Sequence, residues 1–252
     1  MSELAPIARE ALGLSGPLVL LRASGGAVYR SPAGIVRVDR GGGDVVELAY
    51  DLAAAGAPIA APVEGPVELD GWTVSLWQEA PADGSFDPGA MGRALAEFHR
   101  AGAAFLDRAP AWDPLAWLAA RGIDGGIARR AERLVGALQG PPVLLHTDAH
   151  AGNFRVAAGK AVLVDLEQVA VGPALYDLAA LEVTERRFRG DRASFRAFAT
   201  AFGADPDDPR LPPLIALREV LAVGFVAGIG RLDVAAERIA QLDDPDARWT
   251  PF

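Results

Sequence analysis

The residues best equipped for chemistry sit in one stretch, Val143-Leu144-Leu145-His146-Thr147-Asp148-Ala149-His150-Ala151-Gly152-Asn153-Phe154. A short apolar strand delivers His146 and Asp148 into a polar loop, and Asn153 opens the next strand. That strand turns around Ala158-Gly159-Lys160 and returns as Ala161-Val162-Leu163-Val164-Asp165. Centring the hairpin on Gly159 places Asn153 opposite Asp165, six residues away on either side. An amide oxygen and a carboxylate then lie together beside Asp148. Hard oxygen donors of this kind suit Mg2+, which takes few protein ligands and fills its shell with water and phosphate. Asp148 stays free to accept a hydroxyl proton. Lys160, about 15–20 Å from Asp148 at strand rise, is too far away to take part. Two plainer readings stand beside this one. Asp and Asn are common turn residues, so the stretch could be a polar hairpin with capping side chains. The string His146-Thr147-Asp148-Ala149-His150 also suggests a metallohydrolase, with His99 as the one further imidazole.

These residues need elements to hold them. Leu18–Leu21, Ala27–Arg30 and Ile35–Val38 are short β segments separated by Gly, Ser and Pro, the pattern of an antiparallel meander. A helix follows Gly41-Gly42-Gly43, with Asp44 as expected N-cap and Gly56 as its stop. Val67–Leu69 and Trp72–Trp77 flank Asp70-Gly71 as a hairpin. Beyond Pro81-Ala82-Asp83-Gly84 the spacing turns helical: Met91–Ala104, then 114–120 and 127–138. A strand-rich insert at 143–166 carries the chemistry, and helices follow from Tyr176. The expected fold class is α+β in two lobes. A β-rich first lobe (1–80) with one helix precedes a mostly helical second lobe (81–252), with a hinge near 78–84.

Composition narrows the function. The chain has 252 residues, 51% of them hydrophobic, so it can bury a real core. Zero cysteines exclude a disulfide scaffold, a thiolate zinc site and a cysteine nucleophile. A net charge of −9 argues against nucleic acid as the main partner. No run of about 18 uninterrupted apolar residues predicts a membrane span, and the first residues show no secretory signal, so a cytoplasmic location is expected. Of 24 basic residues only Lys160 is lysine, and Ala161 follows it. A Walker-type loop ending in Gly-Lys-Ser/Thr is therefore absent, and any cation that grips phosphate must be arginine.

His146, Asp148 and Asn153 have the His-x-Asp-x-x-x-x-Asn spacing of a kinase catalytic loop, and Asp165 stands where the metal-binding aspartate follows. With these residues the sequence resembles the aminoglycoside phosphotransferase and choline kinase-like family, whose fold is that of protein kinases. Gly92-Arg93-Ala94-Leu95-Ala96-Glu97-Phe98-His99-Arg100 resembles that family's central helix. Gly172-Pro173-Ala174-Leu175-Tyr176-Asp177-Leu178-Ala179 resembles its segment after the metal aspartate. Val164-Asp165-Leu166-Glu167 stands where Ile-Asp-Trp-Glu is common. The likeness runs over residues 18 to 180. It implies Asp148 as catalytic base, Asn153 and Asp165 as Mg2+ ligands, His146 as a loop support and Asp177 as the loop's anchor. In the first lobe it implies Ser24, Gly25 and Gly26 over the phosphates, and Arg37 in place of the usual lysine, paired with Glu47. Backbone groups around Gln78, Glu79 and Ala80 would hold the base of ATP or GTP.

The resemblance implies a small-molecule kinase moving a γ-phosphoryl group to a hydroxyl. From Asp205 onward nine acidic residues face five basic ones, which suggests a cationic acceptor such as an aminoglycoside, aminosugar or amino alcohol. Glu167, Asp233 and Glu237 join Asp148 as candidate acceptor-binding residues. Alternatives are a metabolic kinase for another small alcohol, or a nucleotide-binding pseudokinase that regulates a partner.

Overall fold

A computed structural model describes residues 4–23, 26–123, 125–189 and 191–250. Ser24 and Gly25 lie outside the described residues. The first lobe is an antiparallel sheet of β1 (Val19–Ala23), β2 (Ala27–Ser31), β3 (Gly34–Asp39), β4 (Pro62–Leu69) and β5 (Trp72–Trp77), in the order β1-β2-β3-β5-β4. Alternation along β3 decides what faces where. Val36 and Val38 are buried against Tyr29, Val74 and Leu76 in a small core. Ile35 and Arg37 consequently point to the opposite face, which looks into the cleft between the lobes. The small core is closed by α1 (Leu4–Ala11) through Ala8 and, just beyond it, Leu12, a helix the strand-like reading of this region does not anticipate.

Between β3 and β4 runs α2 (Gly43–Ala54). Its N-cap is Gly42, in a left-handed conformation and without a side-chain cap. Asp44 sits one residue inside the helix, where its charge meets the positive end of the helix dipole. Val46, Leu48, Ala49 and Leu52 of α2 bury into the core of the second lobe, so the lobes share one apolar interior.

The second lobe is organised around α3 (Pro88–Gly102). Asp87 caps it by accepting from Ala90 N at 2.9 Å, and Pro88 supplies the preset first turn. Ala94, Leu95 and Phe98 lie on its buried face. Around it lie α4 (Pro114–Ala119), α5 (Gly125–Glu132), α6 (Leu175–Thr184), α7 (Arg192–Phe202), α8 (Leu211–Gly228) and α9 (Leu232–Gln241). By length and composition α8 could cross a membrane, but here it packs as an interior helix against α4, α5, α6 and α9 and carries Arg218 and Glu219.

The insert forms two ribbons. β6 (Pro142–Leu145) pairs with β9 (Ala170–Pro173), and β7 (Phe154–Ala157) pairs with β8 (Lys160–Leu163). The register of the second ribbon differs by one from that expected. Phe154 opposes Leu163 and Ala157 opposes Lys160, so the turn is the two residues Ala158 and Gly159, with φ of 50° and 70°. Positive φ at both turn residues matches the strand twist of a tight hairpin. Asn153 therefore faces Val164, whose N–H donates to Asn153 O at 2.9 Å, and Asp165 lies one residue beyond the pair.

Candidate active site

The loop from His146 to Asn153 is fixed from below. Asp177, at the start of α6, is wholly buried and accepts from His146 N at 2.9 Å, Thr147 N at 2.7 Å and His99 Nε2 at 2.8 Å. These bonds hold Thr147 at φ 65°, a strained conformation for a β-branched residue. The Thr147 hydroxyl donates to Gln168 O at 2.9 Å. The result aims Asp148 outward. His146 braces the loop: its Nε2 donates to Val164 O at 2.9 Å, and its Nδ1 accepts from Asp148 N at 3.4 Å. With both nitrogens of His146 occupied and His99 turned to Asp177, the histidines do not form the ligand set of a metallohydrolase. Among the described residues no three His, Cys, Asp or Glu side chains gather to hold a metal ion.

Asp148 and Asn153 are in direct contact. Asn153 Nδ2 donates to Asp148 O at 2.9 Å and to Asp148 Oδ2 at 3.3 Å. The donors of the amide are thereby spent within the loop, and its oxygen is left as an acceptor. Asp165 reaches the same cleft because it adopts φ 67°, which turns the chain sharply after β8. Burial pushes its carboxyl up, but Arg37 and Arg22 outweigh that and hold it below the ordinary range. An ionised carboxylate and an amide oxygen are the hard donors Mg2+ prefers, so Asn153 and Asp165 fit that ion.

Arg37 is 11% exposed, and a guanidinium that far from water needs anions. Its partners are Asp39 at 3.3 Å, Asp165 at 3.3 Å and Glu167. Glu47 is not among them: it lies exposed on α2, and the local pairing expected from the sequence gives way to this long-range one. Arg22, at the end of β1, adds contacts to Asp165 at 3.1 Å and Glu167 at 2.9 Å. Two arginines of the sheet thus grip two acids of the lower lobe. Glu167 is consumed in this cluster rather than turned to an acceptor.

Above these residues lies a cleft of about 500 Å³. Leu21, Val28, Ile35, Ala60, Val164 and Leu166 give it apolar walls. Gln78, Glu79 and Ala80 line its back; Gln78 N already donates to Ala61 O at 2.9 Å, and Glu79 takes Arg30 Nε at 2.7 Å. Gly26 lies on a second recess of about 350 Å³, behind Arg37. A side chain there would strike Val38 O, so close strand approach alone requires glycine.

The opposite side of Asp148 shows a residue the sequence reading missed. Arg218 of α8 donates from Nη2 to Asp148 Oδ1, and Tyr176 lies beside it. His150 Nε2 sits 3.6 Å from the other oxygen; burial lowers the pKa of this imidazole, and its Nδ1 accepts from Gly152 N at 2.9 Å. An Arg-Glu pair inside an apolar helix was the available signal for Arg218. Asp233 and Glu237 do not join the site. Asp233 is 73% exposed and paired with Arg231, and Glu237 accepts from the Thr250 hydroxyl at 3.0 Å.

The model of the phosphotransferase enzyme family matches residues 30–214. No curated protein matches the chain by sequence. Among solved structures, a choline/ethanolamine kinase family protein from Mesorhizobium loti aligns with TM-score 0.71 and 19% identity, over 97% of this chain and 95% of that one. Amicoumacin kinase, in complex with AMP-PNP, Ca2+ and Ami, aligns with TM-score 0.72 and 14% identity, over 92% of this chain and 90% of that one. Spectinomycin phosphotransferase, in complex with ADP and spectinomycin, aligns with TM-score 0.69 and 13% identity, over 98% and 95%. At such identities the structures speak for the kinase-like two-lobe fold. The family model, covering most of the chain and the whole catalytic loop, says more: the chain belongs to the phosphotransferase enzyme family of small-molecule kinases, which transfer a phosphoryl group to a hydroxyl.

Proposed function

We propose that the protein transfers the γ-phosphoryl group of magnesium-bound ATP or GTP to a hydroxyl of a small molecule, with Asp148 as the base. The observation that carries this is the meeting of Asp148, Asn153 and Asp165 under a cleft into which Arg22 and Arg37 project. The apolar walls of the cleft suit a purine, and Glu79 and Ala80 offer backbone groups to its edge. Triphosphate oxygens would take over Arg22 and Arg37 from Asp165 and Glu167, since bidentate guanidinium contacts serve phosphate as well as carboxylate. Asp165, released, and the Asn153 oxygen would then hold Mg2+. When bound, that ion neutralises charge developing on the phosphates. Asp148 accepts the acceptor's proton as the new oxygen–phosphorus bond forms and the bond to the β-phosphate breaks. The solved kinases bound to AMP-PNP or ADP support the nucleotide.

The test is turnover by the wild type and by Asp148→Asn, with Mg-ATP and Mg-GTP and a panel of hydroxyl compounds, read as nucleoside diphosphate and phosphorylated product. A positioned general base contributes about 10²–10⁴-fold, so kcat is expected to fall by that factor. Near-normal turnover in Asp148→Asn would remove the base from this residue.

A further inference from the structure

Helix α8 is largely apolar, and Arg218 is a costly residue to place in it. A guanidinium there loses much of its hydration and stays charged only where an anion replaces the lost water. Asp148 supplies that anion: its Oδ1 accepts from Arg218. Asn153 and His150 attend Oδ2, at 3.3 and 3.6 Å. Both oxygens of the base are therefore engaged, yet each accepts a second hydrogen bond, so a hydroxyl that reaches Oδ1 shares it with Arg218. A guanidinium carries five N–H donors, and one that holds Asp148 from Nη2 has others to offer the acceptor. A cationic acceptor brings a like charge against Arg218, whereas an anionic one adds a partner to it.

We propose that Arg218 is an acceptor-recognition residue, and that the acceptor is a hydroxyl compound bearing a carboxylate or phosphate group beside the reacting oxygen. This rests on the reading of Asp148 as the base of a kinase. The anion of the acceptor takes the Arg218 donors that Asp148 leaves, and the hydroxyl takes a second lone pair of Oδ1. The guanidinium fork fits either anion, since both present two oxygens in one plane.

Calorimetric titration on protein saturated with Mg2+ and a non-hydrolysable ATP analogue tests this, using glycerol, glycerate, glycerol phosphate, choline and an aminoglycoside as probes. Glycerate or glycerol phosphate is expected to bind the wild type more tightly than glycerol, choline or the aminoglycoside, and the stronger of the two identifies the anion. Arg218→Ala is expected to weaken that binding at least tenfold, with Arg218→Lys in between; should Arg218→Ala fail to fold, Arg218→Lys carries the comparison. Tighter binding of choline or the aminoglycoside by the wild type overturns the proposal. So does equal anion binding by wild type and variant, or no anion binding at millimolar concentration. Failure of the ATP analogue itself to bind strikes the kinase reading instead, and takes the proposal with it.

Discussion

Replacing Asp177 by Asn changes one atom and puts the whole catalytic loop at risk. The carboxylate accepts three hydrogen bonds between 2.7 and 2.9 Å in a site closed to solvent. The amide can accept on one side only. Its least costly orientation keeps the oxygen toward His146 N and His99 and turns the NH2 against Thr147 N–H. One buried donor then has no acceptor, a cost of about 1–3 kcal/mol, and the two remaining bonds lose the assistance of a charge. We expect a loss of about 2–4 kcal/mol, which for a chain of this size lowers Tm by roughly 5–15 °C. The activity effect follows from Thr147. Its φ of 65° persists only because its N–H and hydroxyl are both held, and relaxation of that strain moves Asp148. A displacement near 1 Å costs about 10²-fold in rate. Urea unfolding with turnover on the same Asp177→Asn sample reads both effects. Stability within about 0.5 kcal/mol of wild type, with kcat within twofold, would refute the anchoring role, against the range expected for a buried hydrogen bond.

Two further substitutions probe the scaffold. A side chain on Gly92 of α3 would meet Phe198 O of α7 and stand 3.0 Å from Phe202 N, so backbone rather than a flexible side chain must move. Gly92→Ala is therefore expected to lower stability by about 1–3 kcal/mol in thermal unfolding, as overpacking does elsewhere, and an unchanged Tm would contradict that packing. Glu185 is buried with neither carboxylate oxygen hydrogen-bonded; Arg189 stands 3.7 Å away, and Asp191 and Glu182 add like charge. Burial pushes its pKa from 4.5 to about 7. Since the folded state holds the proton more tightly than the unfolded chain, this residue costs nothing below pH 4.5, and its cost grows as pH rises to 7 and is complete above it. Glu185→Gln is expected to stabilise the protein at pH 8 by about 1–2 kcal/mol after allowance for solvent screening, and to change nothing at pH 4. A gain of equal size at both pH values would locate its origin outside ionisation.

Local spacing carried most of the site. His146, Asp148, Asn153 and Asp165 needed only a strand, a loop and a hairpin to meet, and these are short-range features. The hairpin register slipped by one because Ala158 shares the left-handed turn with Gly159, a conformation alanine rarely signals. What could not be read was long-range. Arg37 finds Asp165 and Glu167 across the cleft rather than Glu47 ten residues on, and Arg22 joins it from another strand. Arg218 meets Asp148 from seventy residues away through the packing of α8 on α6. β9 is four residues containing Gly and Pro, and only its pairing with β6 makes it a strand. Charge counting over the last fifth of the chain does not see pairing: Asp233 lies against Arg231, and Glu237 accepts from Thr250.

The central claim is that Asp165 and the two sheet arginines form a magnesium–nucleotide site, and calorimetric titration with ATP and with GTP, each with Mg2+ or with EDTA, addresses it most directly. The wild type is expected to bind one nucleotide in a Mg2+-dependent manner, adding about 2.7 kcal/mol of stability at 100 times Kd. Asp165→Asn is expected to lose that Mg2+ dependence, while Asp148→Asn keeps it. Absence of binding at millimolar nucleotide, or binding indifferent to Mg2+ in the wild type, would contradict the account.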